Sequence, residues 1–378
     1  MKVVFVSRFP RTVDTPRGGV ETATVGLASA LCQYEDVDLH VVTLERGLTD
    51  VIVEQHDGIT VHRLERSRCP MMLDVFGGPS ARRLVKYLQD LKPDIVHFHE
   101  TWGMGSYRLS IPSVFTVHGF DSLNLVTEKS WGWQFRSWLW ARFEAHGLAR
   151  QKHLISIAPY VKEQILPLSD AKVYNIWNAI NERYFALEQQ NVKENILFLG
   201  WINQRKNPLA IVEIVGLLKD KFPHLNAQLC GEASDADYTK LVADRIEALG
   251  LGERVKLRGR LDMGQVMDEL TSASMLILPS LQENAPMVIA EAMAVGVPVL
   301  GSNLCGIPDM VESEKSGYLI DPHDYSAAAK QVEVLLTQPD VRQQMSGAAR
   351  ARAHDMFHPK SVARKTMLAY DDVLNSVK

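Results

Sequence analysis

The chain has 378 residues, about twice the length of a typical domain, so two domains are expected. Its hydrophobic content of 46% and charged content of 23% are ordinary for a globular protein and argue against a disordered or fibrous one. A formal net charge of −4 gives no general attraction to nucleic acid, and no apolar run reaches the roughly 18 residues that a membrane-spanning helix requires.

The first residues and the cysteines indicate a cytoplasmic protein. Residues 1–8 contain a short apolar stretch without the longer apolar segment or the cleavage site of a signal peptide, which favours a first buried strand. Free thiols are expected rather than a metal or redox site, because the cysteines are scattered and form no Cys-x-x-Cys pair. They are Cys32, Cys69, Cys230 and Cys305.

In the first half, short apolar runs alternate with helical patterns. Strands are predicted at 3–7, 39–43, 95–99, 114–117 and 154–158, and helices at 20–33 and 81–91. This alternation is typical of a doubly wound parallel sheet, whose ligands bind at the carboxyl ends of the strands.

The loop after the first predicted strand ends in Gly18-Gly19, directly before a helix. Two glycines allow backbone N–H groups to approach a phosphate or substrate closely, although a tight strand-to-helix turn explains them equally well. The Gly-x-Gly-x-x-Gly signature of a dinucleotide cofactor is missing from this loop, so no such cofactor is expected.

The second half repeats the same alternation after the polar stretch 186–194. Strands are predicted at 196–200, 227–231, 255–258, 275–278, 297–300 and 318–320, and helices at 208–219, 237–249, 263–272 and 286–294. A last helical pattern occupies 361–377. Each half is therefore expected to form its own doubly wound sheet.

Arg205 and Lys206 follow the first strand of the second half and precede a helix that Asn207 and Pro208 begin. Two cations at this position are well placed to neutralise a diphosphate. Such pairs are also common on protein surfaces, so the carboxylates described next decide between the two interpretations.

Glu283 and Glu291 lie eight residues apart across the predicted start of a helix. Eight helical residues rise about 12 Å, which is too far for the paired carboxylates of a glycosidase. The helix N-terminus between them favours an anion. The spacing therefore favours binding over hydrolysis, of a ligand with polyols at both ends and a diphosphate between them, such as a nucleotide-diphospho-sugar.

Main-chain N–H groups at the start of this helix are expected to meet phosphate or sugar hydroxyls. The residues concerned are Asn284, Ala285, Pro286, Met287 and Val288. Glu291 is expected to bind the paired hydroxyls of a ribose, as acids do at other nucleotide sites, rather than to be a solvated helix residue.

The segment 129–152 contains four of the seven tryptophans and five basic residues against one acid, Glu144. Its basic residues are Lys129, Arg136, Arg142, Arg150 and Lys152. On a helix, Trp131, Phe135 and Trp138 form one stripe that can pack on a sheet. Trp133 and Trp140 form a second face that suits a membrane interface or a lipid-diphosphate acceptor. A long core helix with solvated arginines is the alternative. The clusters Arg63-Arg66-Arg68 and Arg82-Arg83-Lys86 strengthen the membrane interpretation if they share that face.

Together these motifs resemble those of the retaining glycosyltransferases of family 4, and the resemblance covers essentially the whole chain. The matching positions are Glu283 and Glu291 for Glu-x7-Glu, Arg205 and Lys206 for Arg-Lys, and Gly18 and Gly19 for Gly-Gly. The family's Asn-Gly-Val-Asp hinge corresponds to 178–181, where Ala179 replaces the glycine.

The resemblance implies an α/β protein of GT-B architecture, with two Rossmann-like doubly wound parallel-sheet domains facing a central cleft. Residues 1–185 would bind the acceptor, residues 186–358 the nucleotide-sugar donor, and residues 359–378 would form a helix crossing back to the first domain. It also implies transfer with retention and without a metal or other cofactor.

The resemblance further assigns individual roles. His118 would contact the donor sugar, Glu283 would hold sugar hydroxyls, and Arg205 and Lys206 would stabilise the leaving diphosphate. An acceptor or membrane face would include Asp121, Trp133, Arg136 and Trp140.

The expected function is transfer of a hexose from a UDP- or GDP-linked donor to a glycan or glycolipid, in the synthesis of cell-surface polysaccharide, lipopolysaccharide or another glycoconjugate. The expected partners are the nucleotide-sugar donor and a glycan or lipid-linked acceptor, with no nucleic acid. The inner membrane surface stays open as a further partner. A nucleotide-sugar epimerase of the same architecture and a non-catalytic nucleotide-sugar-binding subunit are the alternatives.

Overall fold

The structure of the protein is a computed structural model that describes residues 1–13, 15–128, 131–190 and 192–376. The chain divides into two compact units. The first comprises 1–122, 135–181 and 357–378, and the second comprises 123–134 and 182–356. The expected boundary at 185/186 thus lies four residues after the main change of unit.

The strands, in chain order, are β1 (Lys2–Val6), β2 (Asp38–Glu45), β3 (Ile52–His56), β4 (Ile59–Glu65), β5 (Ile95–Phe98), β6 (Ser113–Val117), β7 (His153–Ser156), β8 (Lys172–Asn175), β9 (Asn195–Leu199), β10 (Asn226–Cys230), β11 (Val255–Gly259), β12 (Met275–Leu278), β13 (Val299–Ser302) and β14 (Gly317–Ile320).

The α-helices are α1 (Gly19–Leu31), α2 (Met71–Val75), α3 (Pro79–Leu91), α4 (Asp121–Glu128), α5 (Trp133–Leu148), α6 (Pro159–Ile165), α7 (Leu209–Leu218), α8 (Ala236–Ala248), α9 (Met263–Ser272), α10 (Met287–Val295), α11 (Ile307–Met310), α12 (Tyr325–Thr337), α13 (Pro339–Phe357) and α14 (Pro359–Asn375). None of the helices within the described residues is both long enough and apolar enough to cross a membrane.

The first unit is built on an eight-stranded sheet in the order β3-β4-β2-β1-β5-β6-β7-β8. All neighbours are parallel except β3 and β4, which form an antiparallel hairpin. Val3 and Phe5 of β1 are fully buried in a core that α1 and α14 cover. Tyr370 of α14 belongs to this core, and its hydroxyl lies 2.7 Å from His97 Nδ1. The C-terminal helix therefore packs as an element of the first unit.

The second unit is built on a six-stranded parallel sheet in the order β11-β10-β9-β12-β13-β14. Every residue of β9 and β12 is buried, as expected for central strands with helices on both faces. Between β12 and β13 runs α10, of which all but Val288 is buried. Gly296 ends this helix in the left-handed conformation, with φ of 89°, that glycine adopts most readily.

The predicted parallel α/β class is confirmed, and each predicted strand overlaps an observed one. The sequence interpretation missed the β3–β4 hairpin and β8. The hairpin has a recognisable signal, because Asp57-Gly58 forms its two-residue turn with φ of 47° and 86°.

Candidate active site

The loop between β9 and α7 presents Arg205 and Lys206 at the carboxyl end of the second sheet. The Lys206 N–H donates to Asn203 Oδ1 at 3.0 Å, which folds the loop on itself. The backbone N–H of Leu281 donates to the Arg205 carbonyl at 2.7 Å, which ties this loop to the one after β12. The two loops that carry the predicted cations and Glu283 are therefore joined through their backbones.

Both cations converge on Glu283. Lys206 Nζ forms an ion pair with Glu283 Oε1, and Arg205 Nη1 lies 3.7 Å from the same oxygen. The side chain of Glu283 is buried and that of Lys206 is 11% exposed; burial lowers the pKa of Lys206, while the charge of Glu283 opposes that effect. Arg205 also donates to the Gln282 carbonyl at 3.2 Å and lies 3.3 Å from Glu128. The structure thus brings three predicted catalytic residues into one cluster.

Glu291 is isolated on α10. It is 6% exposed, and its carboxylate makes no hydrogen bond or ion pair with another residue of the described part of the chain. Burial raises the pKa of Glu291 to about 7, and burial together with the nearby charge of Glu291 raises the pKa of Tyr184. The alternative of a solvated helix residue is therefore wrong.

The backbone just before α10 is held by a glycine that the sequence interpretation missed. Gly306 donates its N–H to the Glu283 carbonyl at 2.9 Å, and a Cβ at this position would lie 1.7 Å from the Asn284 oxygen. Helix α10 begins one residue later than predicted, with Met287 and Val288 as its first residues. Pro286 occupies the N-cap position and not the first helical position. The signal for Gly306 is a glycine in the loop that follows a buried strand, where ligands of parallel sheets bind.

A cavity of about 1010 Å³ adjoins this cluster within the second unit. Arg205 contributes to its wall together with Trp201, Ser234, Tyr238 and Tyr325, whereas Lys206, Glu283 and Glu291 do not. The cavity therefore has an aromatic and polar wall with one of the two predicted diphosphate-binding cations at its edge.

An Asp-x-Asp tripeptide occurs twice in the chain, at 36–38 and 235–237, so the sequence itself gives no argument against a metal. Asp235 caps α8 by accepting from the Tyr238 N–H at 3.0 Å, and both Asp235 and Asp237 line the 1010 Å³ cavity. Transfer without a metal stays a prediction.

Gly18 and Gly19 belong to the first unit, where they begin α1. Gly18 has a φ of 91°, which disfavours any other residue, and a Cβ there would meet no atom within 4 Å. The requirement for glycine is thus conformational. The loop is further fixed by the Arg17 N–H, which donates to Glu21 Oε2 at 2.6 Å.

His118, at the end of β6, lies in a cluster of three histidines that the sequence interpretation did not find. His99 Nδ1 is 3.3 Å from His118 Nε2, and the His97 and His99 rings are 3.9 Å apart. Burial lowers the pKa of His118 to about 4. At neutral pH this imidazole is uncharged, which suits hydrogen bonding to a hydroxyl better than proton donation. The pattern His97-Phe98-His99 at the carboxyl end of a predicted strand was the available signal.

The Trp-rich helix exposes the opposite face from the one expected. Phe135 is 66% and Trp138 53% exposed, whereas Trp133 and Trp140 are half-buried. The stripe expected to pack on the sheet therefore faces solvent, and Trp140 packs edge-on against the buried Phe143. Trp131 is 95% exposed, but it belongs to the second unit; Lys129 lies outside the described residues.

The remaining members of the predicted acceptor or membrane face are Asp121 and Arg136. Both are exposed, and Asp121 begins α4. The acid of the segment, Glu144, accepts from the backbone N–H groups of Asp121 at 2.7 Å and Ser122 at 3.3 Å. Glu144 therefore caps a helix N-terminus, and burial raises the pKa of its carboxyl group to about 7.

The basic cluster at 63–68 does not form one surface. Arg63 is fully buried and donates to the carbonyls of Phe9 at 3.1 Å and Pro10 at 3.0 Å. Arg66 is half-buried, and Arg68 is exposed. The condition under which this cluster would strengthen the membrane interpretation is therefore not met, because strand β4 and its continuation turn the three arginines in different directions.

Comparison with known proteins places this geometry in a family. The model for glycosyltransferase family 4 matches residues 17–184, and the model for glycosyl transferases group 1 matches residues 181–352. A D-inositol 3-phosphate glycosyltransferase from Streptomyces scabiei is 30% identical over 177 residues, which cover 44% of this chain and 39% of that protein. The chain thus matches well under half the length of this curated relative.

Solved structures show the same fold along the whole chain. A sucrose-phosphate synthase from Thermosynechococcus elongatus superposes with a TM-score of 0.83 at 17% identity, covering 99% of both chains. Anabaena HepE in complex with UDP-glucose superposes with a TM-score of 0.74 at 17% identity, covering 100% of both chains. With two family models that together span 17–352 and a GT-B fold throughout, the chain belongs to the family 4 glycosyltransferases.

Proposed function

We propose that the protein transfers a hexose, with retention of configuration, from a UDP- or GDP-linked donor to a glycan or glycolipid acceptor. The observation that carries this proposal is the convergence of Arg205 and Lys206 on Glu283, directly before α10. Two cations beside a helix N-terminus are suited to bind a diphosphate, and the carboxylate that they contact is suited to accept hydrogen bonds from sugar hydroxyls. The second unit binds the donor and the first unit binds the acceptor.

In the proposed mechanism Arg205, Lys206 and the N-terminus of α10 stabilise the charge that develops on the leaving diphosphate. Lys206 then exchanges part of its ion pair with Glu283 for the phosphate, and Glu283 becomes free to bind donor-sugar hydroxyls. Glu291 accepts the ribose hydroxyls. The uncharged His118 hydrogen-bonds a further sugar hydroxyl, as the family resemblance implies.

The donor phosphate takes the proton of the acceptor hydroxyl in this proposal, so no protein base is required. The cationic cluster supplies the electrostatic stabilisation that a divalent ion provides in other transferases, and the reaction proceeds without a metal. The complex of Anabaena HepE with UDP-glucose supports a uridine nucleotide as the first candidate.

We place the protein in the cytoplasm, at the inner face of the membrane when it meets a lipid-linked acceptor. Phe135, Trp138 and Leu139 are exposed on one side of α5, and Arg142 stacks over Trp138 at 5.1 Å. Exposed aromatic residues beside arginines suit the interface of a membrane that contains anionic lipids. This surface replaces the Trp133 and Trp140 face as the proposed contact.

The test begins with thermal unfolding in the presence of UDP, GDP and ADP, because a ligand that binds only the folded state raises the melting temperature. The matching nucleotide-sugars are then incubated with the protein, and the products are separated. Transferred or hydrolysed sugar with retained anomeric configuration supports the proposal. An epimerised donor, or binding without turnover, would replace it with one of the two alternatives. Activity should persist in a chelator, and its loss with rescue by a divalent ion would overturn the metal-free mechanism.

A further inference from the structure

The histidines of the cluster beside β6 differ in how their ring nitrogens are used. Both nitrogens of His97 have partners in the core, because Nδ1 lies 2.7 Å from the Tyr370 hydroxyl and Nε2 lies 2.6 Å from Thr116 Oγ1. Nδ1 of His99 instead lies 3.3 Å from Nε2 of His118. The other nitrogen of His99, Nε2, is buried and has no hydrogen-bond partner among the described residues. The hydrogen bond of His99 is therefore directed at a predicted site residue.

The ring of His99 is held in place by packing. His99 is 3% exposed, and its ring centroid lies 3.9 Å from that of His97 and 4.7 Å from that of Phe5. His99 directly follows β5 and His118 directly follows β6, and these two strands are parallel neighbours in the first sheet. A side chain fixed in this way can orient the one that it contacts.

The hydrogen bond between the two rings also selects a tautomer. Burial lowers the pKa of His99 well below its usual value and that of His118 to about 4, so both imidazoles are uncharged at neutral pH and each carries one ring proton. If His118 donated from Nε2, then Nε2 of His99 would be a buried N–H without an acceptor, which is rare in folded proteins. If His99 donates from Nδ1, its Nε2 is a bare lone pair, and His118 carries its proton on Nδ1. The second arrangement is favoured.

We propose that His99 is a positioning residue, which holds His118 in the tautomer with its proton on Nδ1 so that His118 is a hydrogen-bond donor toward the sugar of the nucleotide-sugar. The inference rests on the proposed function for the role of His118 and adds the residue that sets its proton. The nitrogen of a histidine that carries the proton is commonly decided by the hydrogen bond that the other nitrogen makes. His99 acts in this way without touching the substrate.

The first experiment determines the tautomer by NMR of the full chain with isotope-labelled histidine. Two-bond proton–nitrogen correlations distinguish protonated ring nitrogens from bare ones, and the signals of His118 are those that disappear in His118→Gln. We expect a protonated Nδ1 and a bare Nε2. His99→Phe keeps the ring volume but removes the donor, so a tautomer with the proton on Nε2 of His118 should appear.

Two further variants separate this effect from a loss of stability. His99→Asn places an amide N–H near the position of Nδ1 and should keep the tautomer of the unchanged protein. His62→Phe is the matched control, because His62 is also buried in the first unit but contacts His40 and Tyr87. It should leave the signals of His118 unchanged. Melting temperatures establish which variants are folded, and His99→Gln, whose amide reaches beyond the position of Nδ1, replaces His99→Phe if the latter unfolds.

The second experiment measures turnover of UDP-glucose as release of UDP. His99→Phe should lower kcat/KM about five- to tenfold, the effect of one lost hydrogen bond, and should change UDP affinity by less than about twofold. His99→Asn and His62→Phe should stay within about twofold of the unchanged protein. In the His118→Gln background, His99→Phe should have almost no further effect, because a residue that acts through another loses its effect when that other is removed.

A proton on Nε2 of His118 in the unchanged protein, a tautomer that survives His99→Phe, or a full effect of His99→Phe in the His118→Gln background would overturn the inference. The NMR experiment needs no substrate, so it decides the role of His99 even without turnover. Absence of UDP-glucose turnover in the unchanged protein contradicts only the proposed function and its first candidate donor.

Discussion

The contacts of Glu283 in the structure change the interpretation of this residue. The spacing to Glu291 predicted a clamp that faces the two cations, whereas the structure shows an ion pair with Lys206 and a second cation at 3.7 Å. A buried ion pair is weak evidence for stability, because desolvation offsets most of its Coulombic gain. We therefore propose that this pair separates when a ligand binds, which would give Glu283 a role in turnover.

Glu283→Gln should lower kcat at least 100-fold, which corresponds to about 2.7 kcal/mol or more and is typical of a lost transition-state contact, and should change UDP affinity by less than threefold. The amide preserves the volume and a hydrogen bond to Lys206. Donor turnover and UDP titration calorimetry give the two quantities. Glu213→Gln is the control, since it removes an ion pair with Arg245 elsewhere in the second unit. A kcat within threefold of the unchanged protein would contradict the assigned role.

Glu291 should make UDP binding depend on pH. With its pKa raised to about 7 by burial, the group is protonated below that pH and ionised above it, and only the carboxylate accepts both ribose hydroxyl donors. UDP affinity should therefore rise from pH 6 to pH 8, and Glu291→Gln should flatten the rise and weaken binding at pH 8 roughly tenfold. Comparing the two proteins cancels the titration of UDP itself. Glu253→Gln, at a side chain 98% exposed, is the control, and an equal slope in the Glu291→Gln protein would refute the ribose assignment.

At the scale of elements, the periodic patterns predicted the sheets well because central strands are continuous apolar runs. Helix α5 shows where the pattern stops being informative. Its aromatic residues occupy several sides, so periodicity alone could not decide which side packs, and burial of Phe143 and Leu148 decides it in the structure. The fully buried Arg63 was equally hidden, since the carbonyls of Phe9 and Pro10 that accept its hydrogen bonds are 54 and 53 residues away in sequence. Contacts between distant elements leave no local signal.

The exposed side of α5 carries a testable prediction of its own. Phe135→Ser combined with Trp138→Ser should reduce co-sedimentation with vesicles of phosphatidylcholine and about 30% phosphatidylglycerol at least tenfold, because burial of two aromatic side chains contributes several kcal/mol. The double substitution should leave the melting temperature unchanged, since both side chains face solvent. Leu217→Ser, at an exposed apolar residue of α7 in the second unit, is the control. Equal sedimentation of both variants would remove the membrane contact from the proposal.

At the scale of the whole molecule, the two units should respond differently to acid. Among the described residues, the histidines whose pKa burial lowers all belong to the first unit: His62, His97, His99, His118 and His153. These imidazoles stay neutral in the folded state and take up protons on unfolding below pH 6.5, so their stabilisation is lost as pH falls. Carboxyl groups with a raised pKa act in the opposite direction, because the folded state takes up their protons as the pH falls from about 7 and becomes more stable. These groups are Glu100 and Glu144 in the first unit and Glu291 in the second.

Five imidazoles outweigh two carboxyl groups in the first unit, whereas Glu291 acts alone in the second. Lowering the pH from 7.5 to 5.5 should therefore destabilise the first unit, by about 1.4 kcal/mol per pH unit for each net proton, and leave the second unit equally or slightly more stable. Urea unfolding with pulse proteolysis and mass spectrometry assigns each transition to peptides of β5 and β6 or of β9 and β12. His97→Gln should reduce the number of protons that the first unit takes up on unfolding by up to one, and so reduce the dependence of its free energy of unfolding on pH. His224→Gln, at an exposed position of the second unit, should not change that dependence. A larger acid loss in the second unit than in the first would show that these buried groups do not control acid stability.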